Sequence, residues 1–382
     1  MSSRGAVVEA DVVVIGAGVA GLSTAYHLAV SSKKLKIIVL EQENRLGGHA
    51  SGRNAGMIRQ VVSDPFIAKL AFLGCRQLAR ASKKGWKRLS FTSNGSLLLA
   101  KKDKFFELEK IKRITRRLGV FSRWLSRQEA RAKVPLLDGG DFQRALFCPS
   151  DALVEIKPLL QGFGDHLKSR GVPILFSAMP LKILKEGNIF RVILNKKEIR
   201  TKKIVNAAGA WCALLAENIG AQKIPLKPYQ RHLYTTNRVN LGQGSWPFVW
   251  DLSHDFYFRP EGRRLLLSPC DKAAIDRKIL GNRKEELDPS VKKILSRKLN
   301  NFSKNFKSIS IQKGKSGLRT MTPDGRFVIG EDSQLSGFYW VAGLGGHGVT
   351  TCFSVGKLSS DIILGRRTES KLVKAFSPAR FE

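Results

Sequence analysis

Three glycines and one carboxylate near the start of the sequence have the types and spacing that bind a dinucleotide. Gly16, Gly18 and Gly21 form a GxGxxG pattern that follows the apolar run DVVVI and precedes a stretch with helical spacing. Gly16 permits a tight turn, Gly18 lets the backbone approach a pyrophosphate, and Gly21 lets the helix pack on the strand. Glu41 ends the next apolar run, where its carboxylate can accept hydrogen bonds from both ribose hydroxyls. This context predicts a nucleotide site at a helix N-terminus.

Further glycines favour FAD over NAD as the cofactor. The doublet Gly47-Gly48 follows closely after Glu41, and a second glycine-rich helix start, GGHG at 345–348, comes near the end of the chain. A helix N-terminus at that second place would stabilise the negative charge that a reduced flavin carries at its N1/C2=O edge. One long cofactor can reach both segments, so we predict FAD.

The elements that must position these residues can be traced from periodicity. Apolar spacing predicts helices over 66–84, 104–118, 158–171 and 345–365, and strands at 11–15, 36–40, 173–177, 181–186, 189–195, 198–200, 203–211 and 337–344. From 225 to 270, alternating aromatic segments divided by Pro and Gly indicate antiparallel strands.

The predicted fold class is mixed. A Rossmann-like α/β domain that binds FAD is intertwined with an α+β substrate domain built on a mixed, largely antiparallel sheet. We place the FAD-binding domain at 1–89, 149–212 and 316–382, and the substrate domain at 90–148 and 213–315.

Motifs along nearly the whole length resemble the D-amino-acid oxidase and dehydrogenase superfamily, which includes glycine oxidase and sarcosine oxidase. The motifs are DVVVIGAGVAG, GGHASGRNAG, VNAAGAW, GLRTMTPDGRFVIG and WVAGLGGHGVTT, in that family's order and spacing. Within the superfamily the chain looks most like the bacterial D-arginine dehydrogenase type, on the segments NAAGAWC, WP, FYFRP, GLR and FSPARF.

This resemblance implies a substrate pocket built around Arg319. In the motif GLR this residue would clamp the substrate carboxylate bidentately, a geometry that suits a guanidinium. Tyr257 would hydrogen-bond the carboxylate or cover the substrate, and Arg231 would reach the same pocket from a neighbouring strand. The simpler alternatives are a surface ion pair for Arg319 and a strand aromatic with its hydroxyl in water for Tyr257.

Two histidines and a further arginine complete the implied catalytic set. His49 resembles the family residue packed beside the isoalloxazine, where it would tune the flavin or help to deprotonate the amine. The alternative is a His that only bonds loop backbone. His347 would shape the entry to the C-terminal helix. Arg53, with Asn54, would lead the chain toward the substrate side at the start of a helix.

The predicted cofactor contacts are spread along the chain. They are Gly16, Gly18, Val19, Ala20, Gly21, Glu41, Gln42, Gly47, Gly48, His49, Ala50, Ser51, Val154, Ala208, Gly209, Trp211, Gly345, Gly346, Gly348, Val349 and Thr350. We predict non-covalent FAD, because Gly317 stands where sarcosine oxidases carry their flavin-bearing Cys. Thr350 stands where those enzymes carry a Lys, which argues against a sarcosine-like pocket.

The implied reaction is oxidation of the Cα–N bond of a D-amino acid or related amine. A hydride passes from the α-carbon to flavin N5, and the imine product is hydrolysed to a 2-oxo acid. Electrons then go to a quinone or to oxygen. One alternative keeps the fold but oxidises a 2-hydroxy acid or glycerol phosphate. Another, of a different class, is a tRNA-modifying flavin domain that binds RNA through its basic surface.

The net charge of +35, from 66 Lys+Arg against 31 Asp+Glu, is the unusual feature of the composition. Such charge coats solvated helices, but it also suits peripheral contact with an anionic membrane. The basic residues are spread over several segments, so nucleic acid is the less favoured partner. Five dispersed cysteines indicate a reducing compartment and no metal site. We therefore expect a cytoplasmic protein, with peripheral contact at the inner face of the membrane as an extension of that expectation.

Overall fold

The structure, a computed structural model, describes residues 6–86, 88–241, 246–276, 280 and 287–382. The strands in this part of the chain are β1 (Ala6–Ile15), β2 (Ile37–Leu40), β3 (Met57–Ile58), β4 (Phe91–Thr92), β5 (Ser96–Ala100), β6 (Arg123–Leu125), β7 (Arg144–Cys148), β8 (Ala152–Val154), β9 (Ile174–Leu175), β10 (Lys182–Glu186), β11 (Ile189–Ile193), β12 (Lys197–Asn206), β13 (Lys227–Thr236), β14 (Phe248–Asp251), β15 (Phe256–Glu261), β16 (Arg264–Ser268), β17 (Ala273–Ala274), β18 (Ile311–Met321), β19 (Val328–Glu331) and β20 (Phe338–Ala342). The α-helices are α1 (Val19–Ser31), α2 (Pro65–Lys83), α3 (Phe105–Arg117), α4 (Arg127–Lys133), α5 (Ile156–Lys168), α6 (Cys212–Glu217), α7 (Pro289–Phe302), α8 (Gly348–Ile363) and α9 (Ser370–Phe376).

The first sheet carries the glycine-rich turn. Its order is β10-β11-β12-β1-β2-β9, with β20 beside β12 and β19 beside β20. β1 runs parallel to β2 and β12, and its last residues are buried on both faces because helices cover the sheet on either side. Val12 and Val14 join the core under α1, α5 and α8, whereas Val13 and Ile15 join the opposite core beside α6.

The second sheet is largely antiparallel. Its order is β17-β13-β16-β15-β14-β5-β7-β6, with β18 beside β13, and β14 and β5 form its parallel pair. Phe256, Phe258, Phe302 and Phe306 pack between this sheet and α7. A small third sheet, β3-β8-β4, comes from the segments that connect the other two. The mixed sheets confirm the predicted fold class, while the division into domains stays a prediction.

Two sequence-based element predictions were wrong. The strands predicted at 198–200 and 203–211 are one strand, β12, because its charged first half continues the pairing with β1. Arg53 and Asn54 do not start a helix. The Asn54 side-chain oxygen instead accepts a hydrogen bond from the Gly56 N–H (2.8 Å), and the helix begins only at Pro65, where Asp64 caps it.

Candidate active site

The predicted glycine-rich turn forms between β1 and α1. Gly16 has a φ of +110°, and a Cβ there would lie 2.5 Å from the Ala207 carbonyl oxygen. A Cβ on Gly21 would lie 1.9 Å from the Gly16 carbonyl oxygen. Both positions therefore require glycine so that the turn, α1 and β12 can approach one another. The Ser51 hydroxyl binds the Val19 N–H (3.0 Å) at the start of α1.

Glu41 lies buried at the carboxyl end of β2. Its Oε2 accepts a hydrogen bond from the Ala17 N–H (2.8 Å), and its Oε1 accepts one from the Glu43 N–H (2.9 Å). These bonds fix the carboxylate beside the glycine-rich turn. Since a carboxylate oxygen can accept more than one hydrogen bond, Glu41 can still receive the hydroxyls of a ribose.

A cavity of about 360 Å³ runs along this edge of the first sheet. The predicted residues that line it are Gly16, Gly18, Val19, Ala20, Glu41, Gln42, Gly47, Gly48, His49, Ala50, Ser51, Ala208, Gly209, Trp211, Arg319, Gly345, Gly348 and Val349. Sequence analysis missed several lining residues, including Asn54, Ala178, Met179, Pro180 and Asn218. Residues 178–180 follow β9, a parallel neighbour of β2. Ligands of parallel sheets bind at the carboxyl ends of the strands, so this position could have indicated them.

His49 lies against residues that follow β2. Its Nε2 is 2.8 Å from Glu43 Oε1 and 3.2 Å from Gln42 Nε2. Its ring centroid is 4.6 Å from that of Trp211. The Glu43 contact is close to Glu41, so His49 faces the same end of the cavity as that carboxylate.

Several other predicted residues support the cavity without lining it. Arg53 donates from Nη1 to the Ser316 carbonyl oxygen (3.0 Å), and its Cβ would lie 3.1 Å from a Cβ at Gly317. In β8, the Val154 N–H donates to the Gly56 carbonyl oxygen (2.8 Å). The Thr350 hydroxyl receives the Arg59 N–H (3.1 Å) and so joins the start of α8 to the end of β3.

Arg319 and Arg231 lie on one face of the second sheet. β13 and β18 pair so that Tyr229 is opposite Arg319 and Arg231 is opposite Gly317, which places both arginines on the same face. A Cβ on Gly346 would lie 2.8 Å from Arg319 Nη1, so the guanidinium rests on the backbone of the C-terminal glycine-rich turn. Burial and the neighbouring charge of Arg231 lower the pKa of Arg319 from its usual range.

Tyr257 joins these arginines from β15. It is fully buried, and its hydroxyl has no hydrogen-bond partner among the described residues. Nε and Nη1 of Arg231 are also buried without a hydrogen-bond partner among the described residues. The Tyr257 ring stacks at a tilt on Trp250, with 4.7 Å between centroids. These unpaired polar atoms mark a place built for a ligand, because a buried polar group without a partner is costly.

Arg59 is a further cationic residue near this group, and sequence analysis did not place it in the site. Its guanidinium lies 4.1 Å from the centre of the Trp250 ring, a cation–π contact. Burial lowers the pKa of Arg59 to about 10. Arg59 follows Ser51, the last predicted cofactor contact of that loop, by eight residues. Its contact with Trp250 joins segments of two different sheets, so it was not visible in the sequence.

His347 lies at the start of α8 close to these charges. Burial, followed by the charges of Arg59 and Arg319, lowers its pKa to about 3. Its backbone carbonyl accepts hydrogen bonds from the N–H (3.0 Å) and the hydroxyl (2.9 Å) of Thr351. The imidazole is therefore neutral at physiological pH. The His347 side chain does not cap α8, and its predicted role at the helix entry stays a prediction.

Known proteins resemble this chain over nearly its whole length. The sequence profile described as "DAO: FAD dependent oxidoreductase" matches residues 11–362. Glycine oxidase of Bacillus licheniformis is 25% identical, with 97% of this chain and 98% of the relative covered. The crystal structure of L-proline dehydrogenase from P. horikoshii superposes with a TM-score of 0.87 at 23% identity, and 98% of each chain is covered.

A third relative is much longer than this chain. The 4-methylaminobutanoate oxidase (formaldehyde-forming) of Paenarthrobacter nicotinovorans is 24% identical over 352 residues. The match includes 90% of this chain but spans only 42% of the length of that relative.

Proposed function

Since this chain belongs to the DAO family of FAD-dependent oxidoreductases, we propose that it oxidises the Cα–N bond of an amino acid or a related secondary amine. The observation that carries this proposal is the position of Arg319 and its lack of an ion-pair partner among the described residues. Its half-buried side chain lines the nucleotide cavity and forms no ion pair among the described residues. Such a group matches a substrate carboxylate next to the cofactor.

The cavity fits FAD, on which this enzyme depends. Gly18 leaves the room that a Cβ would take next to Ser51, and the start of α1 points its N–H groups at the expected phosphates. Glu41 would hold the ribose, and the turn before α8 would receive the flavin end. When bound, FAD supplies the acceptor for the hydride and its two electrons.

The three side chains Arg319, Arg231 and Tyr257 would hold the substrate by its carboxylate. A carboxylate can accept two parallel N–H bonds from Arg319, and the unpaired atoms of Arg231 and Tyr257 can contribute further donors. This attachment would fix the α-carbon in one orientation beside the cofactor, and positioning of this kind supplies much of the rate in such reactions.

The charge of the pocket also favours the neutral amine form of the substrate. Positive groups disfavour an ammonium beside them, so the bound amine loses its proton more easily than it does in water. His347 carries no charge at neutral pH and has a pKa of about 3, so it is a weak base. A 2-hydroxy acid needs a base for its hydroxyl proton, whereas an amine loses its proton more easily.

The finer assignments rest on the sequence motifs. The D configuration and the likeness to D-arginine dehydrogenase follow from the resemblance of GLR, FYFRP and NAAGAWC, and they stay predictions. The electron acceptor, a quinone or oxygen, is likewise proposed from the resemblance.

Anaerobic reduction of the bound flavin tests the proposed function. The FAD-loaded protein is mixed with D- and L-amino acids, N-methyl amino acids and 2-hydroxy acids, and the flavin absorbance is followed before and after air is admitted. We expect bleaching by at least one amine class and none by the hydroxy acids. Bleaching by hydroxy acids alone would replace this proposal with the alternative. Rapid reoxidation in air would identify oxygen as the acceptor.

A further inference from the structure

The face of the second sheet next to the nucleotide cavity carries more positive charge than one carboxylate can match. Arg231 is buried, Arg59 and Arg319 are half-buried, and none of the three forms an ion pair within the described residues. Other arginines of this chain are paired, such as Arg326 with Asp64 at 2.8 Å and Arg380 with Asp324 at 2.9 Å. Taking cations out of water without a partner is costly, so this cluster of one buried and two half-buried arginines is expected to receive anionic groups.

The acids that act on these arginines are engaged elsewhere. Asp151 acts on Arg59, but its carboxylate accepts hydrogen bonds from Ser96 Oγ (2.7 Å) and from the backbone N–H of Gln60 (2.8 Å). Asp271 acts on Arg319, but it pairs with His232 Nδ1 at 2.7 Å. Glu107 also acts on Arg59, but its Oε2 lies 3.7 Å from Lys104 Nζ. None of these three acids forms an ion pair with Arg59, Arg231 or Arg319 among the described residues.

The positive charges form two separate groups on the face of the second sheet. Arg319 and Arg231 project from β18 and β13, whereas Arg59 lies over Trp250 on β14. β16 and β15 lie between β13 and β14 in the sheet. Tyr257 on β15 stands between the two groups, with its hydroxyl unpaired.

We infer that the substrate carries a second carboxylate, which Arg59 binds while Arg319 and Arg231 hold the first. This inference rests on the proposed function and names the substrate class as dicarboxylic amino acids or N-substituted forms of them. One compact dianion, such as a phosphate ester, would occupy the Arg319 and Arg231 group and leave Arg59 unmatched. Two carboxylates joined by a short chain match both groups.

Binding of inert acids to the FAD-loaded protein tests this inference without turnover. The probes are glutarate and succinate, the monocarboxylates butanoate and propanoate, and glycerol 3-phosphate. Dissociation constants come from perturbation of the flavin spectrum and from calorimetry. We expect a dicarboxylate to bind at least about tenfold more tightly than the monocarboxylate of matching length, since a charge-assisted hydrogen bond is gained. Equal affinities, or tighter binding of the phosphate ester, would overturn the inference.

A pair of variants locates the second carboxylate. Arg59→Gln removes the charge over Trp250, and Arg113→Gln removes one charge from the exposed face of α3 as a control for net charge. We expect Arg59→Gln to abolish the preference for dicarboxylates and to leave monocarboxylate affinity within about twofold. Arg113→Gln should keep the wild-type preference. If Arg59→Gln does not fold, the comparison of dicarboxylates with monocarboxylates on the wild-type protein still tests the inference.

The two proposals fail in different ways. If dicarboxylates bind preferentially through Arg59 but no amine reduces the flavin, the second carboxylate site stands and the amine-oxidising function falls. If monocarboxylic amines reduce the flavin and dicarboxylates show no preference, the proposed function stands and this inference falls.

Discussion

At the scale of single residues, Gly346 connects the two halves of the site. Arg319 rests on its backbone, so the C-terminal turn that would receive the flavin also positions the group that would bind the substrate. A side chain at this position would meet the guanidinium before it met anything else. Gly346 therefore contacts the arginine proposed to bind the substrate, in addition to forming part of the turn.

The variant Gly346→Ala should damage substrate binding and spare FAD. Its Cβ would lie 2.8 Å from Arg319 Nη1, so the guanidinium must move. We expect kcat/KM for flavin reduction to fall roughly 10-fold to 100-fold, the cost of a charge-assisted contact. FAD content and the unfolding midpoint should stay near those of the wild type. Unchanged kinetics would show that Arg319 does not need its present position.

His49→Ala should affect the cofactor more than the chemistry. The imidazole contacts Glu43 and Trp211 at the Glu41 end of the cavity. We therefore expect weaker FAD retention, measured by fluorescence titration, with an unchanged rate of flavin reduction once FAD is saturating. A reduction rate that falls tenfold or more at saturating FAD would instead support the predicted role beside the flavin.

At the scale of elements, α1 and α8 bring the two glycine-rich turns together. The helices pack side by side, and a Cβ on Gly356 of α8 would lie 2.5 Å from the backbone of Ser23 in α1. His27 of α1 lies in this region, with its ring 6.1 Å from that of Phe353 in α8. Its Nε2 has no hydrogen-bond partner among the described residues.

This packing predicts a loss of stability in mild acid. Burial, together with Lys357, lowers the pKa of His27 from 6.5 to about 4. The unfolded chain therefore takes up the proton first, so stability is full above pH 6.5 and falls as the pH drops toward 4. The loss is about 2 to 3 kcal/mol. Urea midpoints between pH 7 and pH 4.5 should fall more steeply for the wild type than for His27→Gln. Parallel curves would contradict this assignment.

Local patterns account for the elements that sequence analysis predicted. The fingerprint glycines, Glu41 and helix α2 could be found because turn chemistry and 3.6-residue spacing act within a few residues. Helix α7 was missed although Asp288 caps it, and Val291, Leu295 and Leu299 follow at helical spacing. Both the capping residue and the apolar spacing are visible in the sequence of α7.

Contacts between distant segments could not be predicted from one sequence. Arg59 meets Trp250 only because β3 and β14, which belong to different sheets, are brought together by the fold. The shared face of Arg231 and Arg319 likewise depends on the register of β13 against β18. The family motifs suggested both Arg319 and Arg231, but only the register explains why the two lie on one face.

Over the whole molecule, the acidic residues leave a net charge of +35 unbalanced. Helix α3 shows how this charge is displayed. Phe106 is 76% exposed, and Lys110, Arg113 and Arg117 lie on the same helical face. None of the helices in the described part of the chain is long and apolar enough to cross a membrane. We propose that this face of α3 binds to the surface of an anionic membrane.

Liposome sedimentation tests this surface contact. We expect binding to vesicles that contain anionic lipid, little binding to zwitterionic vesicles, and release at high salt, since each basic residue contributes about 1 kcal/mol near such a surface. Lys110→Glu with Arg113→Glu should weaken the binding at least about tenfold. Retention of tRNA at low salt with no binding to vesicles would favour the RNA alternative.

Arg319 is proposed to bind the carboxylate of an amine substrate beside FAD. This binding is tested most directly by anaerobic stopped-flow reduction in a double cycle, in which Arg319→Gln is combined with an amine that lacks the carboxylate. We predict that either change alone lowers the kcat/KM for reduction roughly 10-fold to 100-fold, and that both together cost no more than one. If the two losses in kcat/KM multiply, Arg319 and the carboxylate act independently, and Arg319 does not bind the carboxylate.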